Sequence, residues 1–414
     1  MLEKLERIGG NRVILALSAA RLGDAIGNSI LIVIIPLFVA KLPDPLMPWP
    51  VTIRVGFLIA VYGLVNAILQ PFSGALIDHV GRRKPFIIAG LGIMAIATFG
   101  FIFVSRFSDL LFLRSFQGIG VALTIPAAMA LMVNASQKES RGGSMGIYTT
   151  SRMVGLGIGP LLGGLLYDNF GFNSAFYVGS AFVVIAIILV QLWVHEQPLD
   201  KSKVRAKPTK FQVIDPKLLT AGILGASFAT FVMAGGFSMM AALEEQFNQR
   251  LGMSAFLFGV AFSALLISRM FTQVPLGRLS DHIGRKPLII GGLILMAPST
   301  ALLGYATSFW ALVALRIVQG LASGAVAAPA FAVVGDVAIK GAEGRQMSFI
   351  TMGFGLGVAL GPLLAGVLAV NSFTLPFVVV GALSLVGAWV VYRYVPETIH
   401  HGERLREAHI TADD

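Results

Sequence analysis

Gly74-Ala-Leu-Ile-Asp78-His-Val-Gly81-Arg82-Arg83-Lys84-Pro85 is a short polar clasp between two long apolar runs. It returns as Gly277-Arg-Leu-Ser-Asp281-His-Ile-Gly284-Arg285-Lys286-Pro287, with Asp281 standing 203 positions after Asp78 in a chain of 414 residues. That interval is close to half the length, so the chain reads as two copies of one unit. Each part of the clasp has a physical reason. Asp78 ends an apolar run where a carboxylate can reach water. Gly81 permits a tight turn with φ > 0. Arg82, Arg83 and Lys84 meet the membrane surface, and Pro85 suits the first turn of the next helix, where no N–H is needed. A bland basic loop between two helices would explain one copy but not two at matching places.

Composition sets the class. The chain is 56% hydrophobic and 13% charged, with mean hydropathy +0.81, whereas a soluble domain carries about 25% charged residues. This is a polytopic membrane protein. Its net charge of +10 does not imply nucleic acid, because the basic residues fall in alternate loops. Lys4, Arg7, Arg12, Arg82, Arg83, Lys84, Lys138, Arg141, Arg285, Lys286, Lys340, Arg345 and the 201–210 segment mark one side. By the positive-inside rule that side is cytoplasmic, with both termini there. The chain has no cysteine, which excludes disulfides and thiol chemistry. No cleavable signal peptide is expected, since the first apolar run is too long for one.

Runs of about 20 apolar residues, enough to span a bilayer, occur near 13–40, 55–77, 85–105, 110–133, 144–167 and 175–194, and again near 218–243, 256–279, 287–307, 309–334, 347–369 and 373–394. Twelve spans are predicted, arranged as an N-terminal bundle over 1–195, a cytoplasmic linker over 196–216, a C-terminal bundle over 217–395 and a tail over 396–414. The proline-rich loop 41–53, with Trp49, reads as a stiff cap at the interface.

Asp24 lies inside the first run, with Arg21 three residues before it and Asn28 four after, all on one helix face. An ionised carboxylate in a lone span costs about 2.5–3.5 kcal/mol on insertion scales, so such a residue marks an ion or substrate path unless it forms a structural pair with Arg21. No other acidic residue falls deep within the twelve runs, which makes Asp24 the candidate proton carrier. Arg114 stands in the fourth run and cannot shed its proton; it either tunes a nearby carboxylate or holds backbone carbonyls. Arg152 and Arg269 also lie in apolar runs, with no partner evident from spacing. Met233 and Phe237 suit a soft pocket for apolar ligands, or ordinary packing.

The clasp resembles the loop 2–3 signature of the major facilitator superfamily, G-x-L-a-D-r-x-G-r-k, in both copies, with His79 and His282 replacing the usual arginine. Arg114, Gln117, Gly118 and Gly120 resemble the R-x-x-Q-G-x-G helix 4 signature of proton-coupled drug antiporters, echoed by Arg316, Gln319 and Gly320. Gly155, Gly159, Pro160, Gly163 and Gly164 resemble the G-x-x-x-G-P-x-x-G-G signature of exporters, echoed by Gly361 and Pro362. Glycines every four residues let another helix approach closely.

The resemblance implies the twelve-helix fold, all-α, with two six-helix bundles around a cavity lined by the first, fourth, seventh and tenth helices. It implies Asp24 and Arg114 in proton coupling, a substrate cavity including Arg21, Asn28, Gln117, Arg316, Gln319, Met233 and Phe237, and conformational switching by Gly74, Asp78, Gly81, Arg82, Gly277, Asp281, Gly284 and Arg285. The expected function is proton-coupled export of small amphipathic or cationic compounds from a prokaryotic cell, across its plasma membrane. The protein is expected to act as a monomer, without enzymatic activity, cofactor, metal or nucleic acid. A lipid or glycolipid flippase and a proton-linked nutrient importer are alternatives within the fold; a non-transporting sensor would need a larger soluble domain. No G-x-x-x-x-G-K-[ST] loop is present to hydrolyse ATP, and the G-x-S-x-G match at Gly142–Gly146 opens a membrane helix rather than a nucleophile elbow.

Overall fold

The computed structural model describes residues 12–135, 141–194, 219–337 and 343–399. The linker and most of the tail expected from the sequence lie outside these residues. The helices are α1 Arg12–Lys41, α2 Val51–Val80, α3 Lys84–Gly100, α4 Phe107–Ala135, α5 Arg141–Phe170, α6 Phe172–Trp193, α7 Ala221–Ser238, α8 Glu244–Leu251, α9 Ala255–Ile283, α10 Arg285–Ala301, α11 Phe309–Asp336, α12 Glu343–Leu368 and α13 Leu375–Tyr394. A 3-10 turn, Met239–Leu243, joins α7 to α8 in one span. Among the described residues, eleven helices are long and apolar enough to cross a membrane. The glycine-rich α5, thirty residues long, completes the twelve.

The clasps form as their residues dictate. Gly81 ends α2 at φ 73°, and its N–H donates to the Ile77 carbonyl at 2.9 Å. Gly284 turns at φ 101° before α10. The second clasp is locked within its own half. Arg285 Nε lies 2.7 Å from Asp336 and its Nη2 3.4 Å from Asp281. Glu397 accepts the N–H groups of Arg285 and Lys286 at 3.1 Å each, capping the start of α10.

The glycine motifs set helix spacing. A Cβ on Gly155 would stand 2.6 Å from that of Ala25, and one on Gly163 2.6 Å from the Ile30 carbonyl. The motif therefore seats α5 on α1, and Ser29 Oγ donates to the Gly155 carbonyl at 3.0 Å. In the second half Gly361 meets the Gly235 carbonyl in the same way, seating α12 on α7. Gly164 faces elsewhere, against Ala255 and Phe256 of α9 in the other half.

Two seams join the halves. Along α2 and α12, Thr52 Oγ1 donates to the Gly366 carbonyl at 3.0 Å, Gly56 lies on Pro362, and Gly63 lies on Ala359. Along α5 and α9, Asp168 accepts the N–H groups of Ala255 and Phe256, Gly259 lies on Pro160, and Gly157 reaches Ile267. Among the described residues, these hydrogen bonds and close approaches all lie in the half of each helix remote from the clasps. On the clasp side, a side chain at Gly74 would meet nothing within 4 Å. The described close approaches between the halves thus lie on the face remote from the clasps.

Candidate functional site

Asp24 stands 12 residues into α1, about 18 Å along its axis at 1.5 Å per residue, and is 3% exposed. Arg21 Nη1 donates to Asp24 Oδ2, and Asn28 Nδ2 donates to Oδ1 at 3.1 Å. The one-face triad expected from the spacing is thus assembled. Arg21 also lies 5.9 Å from the centroid of the Tyr148 ring on α5. Tyr62 of α2 and Arg152 of α5 complete the electrostatic surroundings of this pair.

Arg114 does not pair with Asp24 in this conformation. Its Nη1 donates to Gln117 at 2.8 Å, and its guanidinium lies 5.2 Å from the Tyr62 centroid. Gln117 in turn donates to Thr98 Oγ1 on α3 at 2.7 Å. Arg114 is turned onto its own helix, with the Tyr62 ring beside it, and only Gln117 reaches α3.

The second half repeats this network more deeply. Arg316 Nη1 donates to Gln319 at 2.7 Å and to the Phe237 carbonyl at 3.2 Å. Gln319 donates to Thr300 Oγ1 at 2.9 Å and to the Gly236 carbonyl at 3.1 Å. Arg316, Gln319, Gln117 and Met233 are each fully buried. In this conformation the four are covered by neighbouring helices; Arg316 and Gln319 tie α11 to α7 and α10, and Gln117 ties α4 to α3. Phe237 is also buried, 5.9 Å from the Arg269 guanidinium and tilted on Phe354 at 6.0 Å.

Two residues without a partner in the sequence now have surroundings. Arg152 makes no hydrogen bond or ion pair with any described residue. Arg269 donates through Nε to Gln273 at 3.3 Å and lies 5.5 Å from the Phe354 centroid. The two arginines come from opposite halves and lie within electrostatic reach of each other.

Glu244 was missed. Its run reads as ending at Leu243, yet the span continues through the 3-10 turn to Leu251. Glu244 is fully buried near the closed seam, and neither carboxylate oxygen makes a hydrogen bond of ordinary geometry. The only available signal was that Glu244-Glu-Gln-Phe-Asn-Gln-Arg250 keeps good helix formers without a breaker. Among the described residues no group of acidic residues and histidines could hold a metal ion. The side chains of Asp78, Arg345 and Ser348 lie outside the described residues.

Comparison with known proteins agrees with this architecture. The chain is 29% identical over 349 residues to the uncharacterized MFS-type transporter YuxJ of Bacillus subtilis (strain 168), covering 81% of this chain and 87% of that one. It is 27% identical over 343 residues to the multi-drug resistance efflux pump PmrA of Streptococcus pneumoniae serotype 4, covering 82% and 85%. Its fold matches a bacterial homolog of the human lysosomal transporter Spinster in an inward-facing and occupied conformation, with TM-score 0.77 at 16% identity over 93% of this chain and 97% of that one. The sequence profile of the Major Facilitator Superfamily matches residues 17–248 and 226–411, and with two clasps, two glycine motifs and twelve spans in place, this chain belongs to that superfamily of membrane transporters.

Proposed function

We propose that this transporter is a proton-coupled exporter of small amphipathic compounds, working by alternating access. The observation that carries the reading is the Asp24 carboxylate, held deep in α1 by Arg21 and Asn28. A carboxylate there costs free energy and is retained for a path. The efflux pump PmrA, similar over most of both chains, supports the export direction. The face bearing the basic clasps is taken as cytoplasmic in a bacterial plasma membrane, from the charge asymmetry of the loops.

In the state open to the cytoplasm, Asp24 is ionised and paired with Arg21. Substrate enters between the halves from that side. The halves rock to the outward-open state, substrate leaves, and a proton enters from outside. Protonation of Asp24 removes the negative charge that holds Arg21 and weakens the pair. The return to the cytoplasmic side delivers the proton. The voltage part of the gradient contributes about 2.3 kcal/mol per charge per 100 mV. Asp78 and Arg82 act on the rocking step, not on the substrate.

The test is flux in proteoliposomes with an imposed pH gradient. Substrate should move uphill against inward proton flow, and Asp24→Asn should abolish that coupling while the protein remains folded. Uphill transport of ordinary rate by the variant would overturn the reading.

A further inference from the structure

The cavity carries a charge imbalance that a carrier of cations would not need. Within the membrane-spanning helices stand Arg21, Arg114, Arg152, Arg269 and Arg316 against two buried carboxylates, Asp24 and Glu244, and Glu244 lies near the closed seam, remote from the clasps. Asp24 is already committed to Arg21 and Asn28. Arg316 is fully buried and hydrogen-bonded to Gln319 and the Phe237 carbonyl, and Arg114 is committed to Gln117. That leaves Arg152, partly covered, and Arg269, 6% exposed beside Phe237 and Phe354.

These two occupy a telling place. The α5–α9 seam is closed from Asp168 and Ala255 down to Gly157 and Ile267. Arg152 is five residues beyond Gly157 toward the clasp, and Arg269 is two beyond Ile267. They are the first charged side chains of α5 and α9 beyond the described seam, one from each half. Arg152 is only partly covered and has no hydrogen bond or ion pair with a described residue. Arg269 is steadied by Gln273 and by the rings of Phe237 and Phe354. A guanidinium inside a membrane protein is costly without an acceptor, and its planar fork matches a carboxylate, sulfonate or phosphate.

We infer that Arg152 and Arg269 form a cross-half clamp for the anionic head of an amphipathic substrate, whose apolar body lies against Phe237 and Phe354. The clamp also explains how loading promotes closure. Empty, the two like charges repel and oppose closing of the seam; an anion between them removes the repulsion. This rests on the exporter reading for the direction of transport, but not for binding.

The experiment measures binding by calorimetry to the full chain in phosphatidylcholine nanodiscs, with no proton gradient. The probes are 1-naphthalenesulfonate and the naphthylmethyl-trimethylammonium cation, which share an apolar body. The anion should bind at least about tenfold more tightly, as expected of charge-assisted hydrogen bonds, and should weaken with salt. Arg152→Ala and Arg269→Ala should each lose that preference. Arg152→Lys and Arg269→Lys, which guard against a folding defect, should retain much of it. Phosphatidylglycerol in the nanodisc that competes with the sulfonate assigns the head group to lipid. Failure to compete assigns it to a soluble compound; either result supports the clamp. Equal or tighter binding of the cation, or unchanged anion binding in both alanine variants, would overturn it. Intact anion preference alongside absent proton-driven flux would sink the exporter reading and leave the clamp standing.

Discussion

Arg114 and Arg316, 202 positions apart in the chain, make the same hydrogen bond. Each donates through Nη1 to the glutamine three residues on, at 2.8 and 2.7 Å, and each glutamine donates onward to a threonine, Thr98 or Thr300. A repeat conserved to this level of geometry points to a shared structural task, tethering the arginine helix to its neighbour. The second copy is the more deeply covered, with Arg316 wholly buried and bonded to the Phe237 carbonyl.

Gln319→Leu should therefore act on stability. It removes the acceptor for Arg316 and both donor bonds of Gln319, leaving buried polar groups unpaired at about 1–3 kcal/mol each. The apparent Tm in detergent or nanodiscs should fall clearly, while surviving protein keeps its substrate affinity. Lost affinity with an unchanged Tm would place Gln319 at the substrate after all.

Much of this was legible in the sequence, and the failures share a cause. The repeat, the spans and the Arg21–Asp24–Asn28 face follow from period and spacing along one helix. What covers a helix face depends on its neighbours, so Arg316 and Gln319 could be placed on α11 but not told apart from cavity residues. Arg152 and Arg269 are far apart in sequence, and only the α5–α9 seam brings them together. Glu244 escaped because a polar, helix-forming stretch after an apolar run looks like a loop, although here it is the buried end of the same span.

Asp24→Asn should separate binding from coupling. The amide keeps the shape and can still meet Asn28, but it cannot carry the proton. Downhill exchange of substrate should survive while pH-driven accumulation disappears. The check is a comparison of exchange with uphill flux in one vesicle preparation; loss of both would show Asp24 holds the substrate or the fold instead.

Gly164→Leu should bias the conformational equilibrium. A Cβ at Gly164 would stand 2.5 Å from the Ala255 carbonyl and from Phe256 Cα, so the larger side chain holds the seam apart on the face remote from the clasps. Spin-label distances across that face should lengthen and turnover should drop. Gly92→Leu, where an added Cβ meets nothing within 4 Å, should leave both unchanged.

The loop joining α1 to α2 carries its own pH dependence. Partial burial pushes the Asp44 carboxyl up, but the N–H groups of Leu46 and Ser108 that donate to it, at 2.9 and 2.8 Å, more than reverse that and hold it below the ordinary aspartate range. A carboxyl lowered in the folded state stabilises the loop above its unfolded value and loses that contribution as pH falls through the folded one. Trp49 lies in this loop, edge-on to Phe57 at 5.4 Å. In a variant keeping Trp49 as the sole tryptophan, fluorescence should hold constant from neutral pH down and change only in the acid limb; Asp44→Asn should remove that transition.

The first clasp yields the last prediction. Gly74 lies in open space on the clasp face, and the close approaches between the halves sit at the other end. Asp78 is four residues beyond Gly74, and Asp24 is half a helix deeper in the membrane, so Asp78 is on the order of 15 Å or more from the proton site by helix rise alone. It cannot share a ligand with Asp24. When the clasp face closes, α2 must approach the start of α12 near Gly344, since α2 already packs on α12 farther along, through Gly56 on Pro362 and Gly63 on Ala359. A helix start carries positive partial charge that favours an anion by roughly 0.3–2 kcal/mol. Asp78→Asn should therefore destabilise the closed clasp face alone. Turnover should fall, affinity should hold, and spin labels on the 81–83 and 284–285 loops should report more of the long-distance population. In the second half Arg285 already holds Asp281 and Asp336, so Asp281→Asn should have a smaller effect. An unchanged distance distribution in Asp78→Asn, together with lost affinity, would move Asp78 from the switch to the binding site.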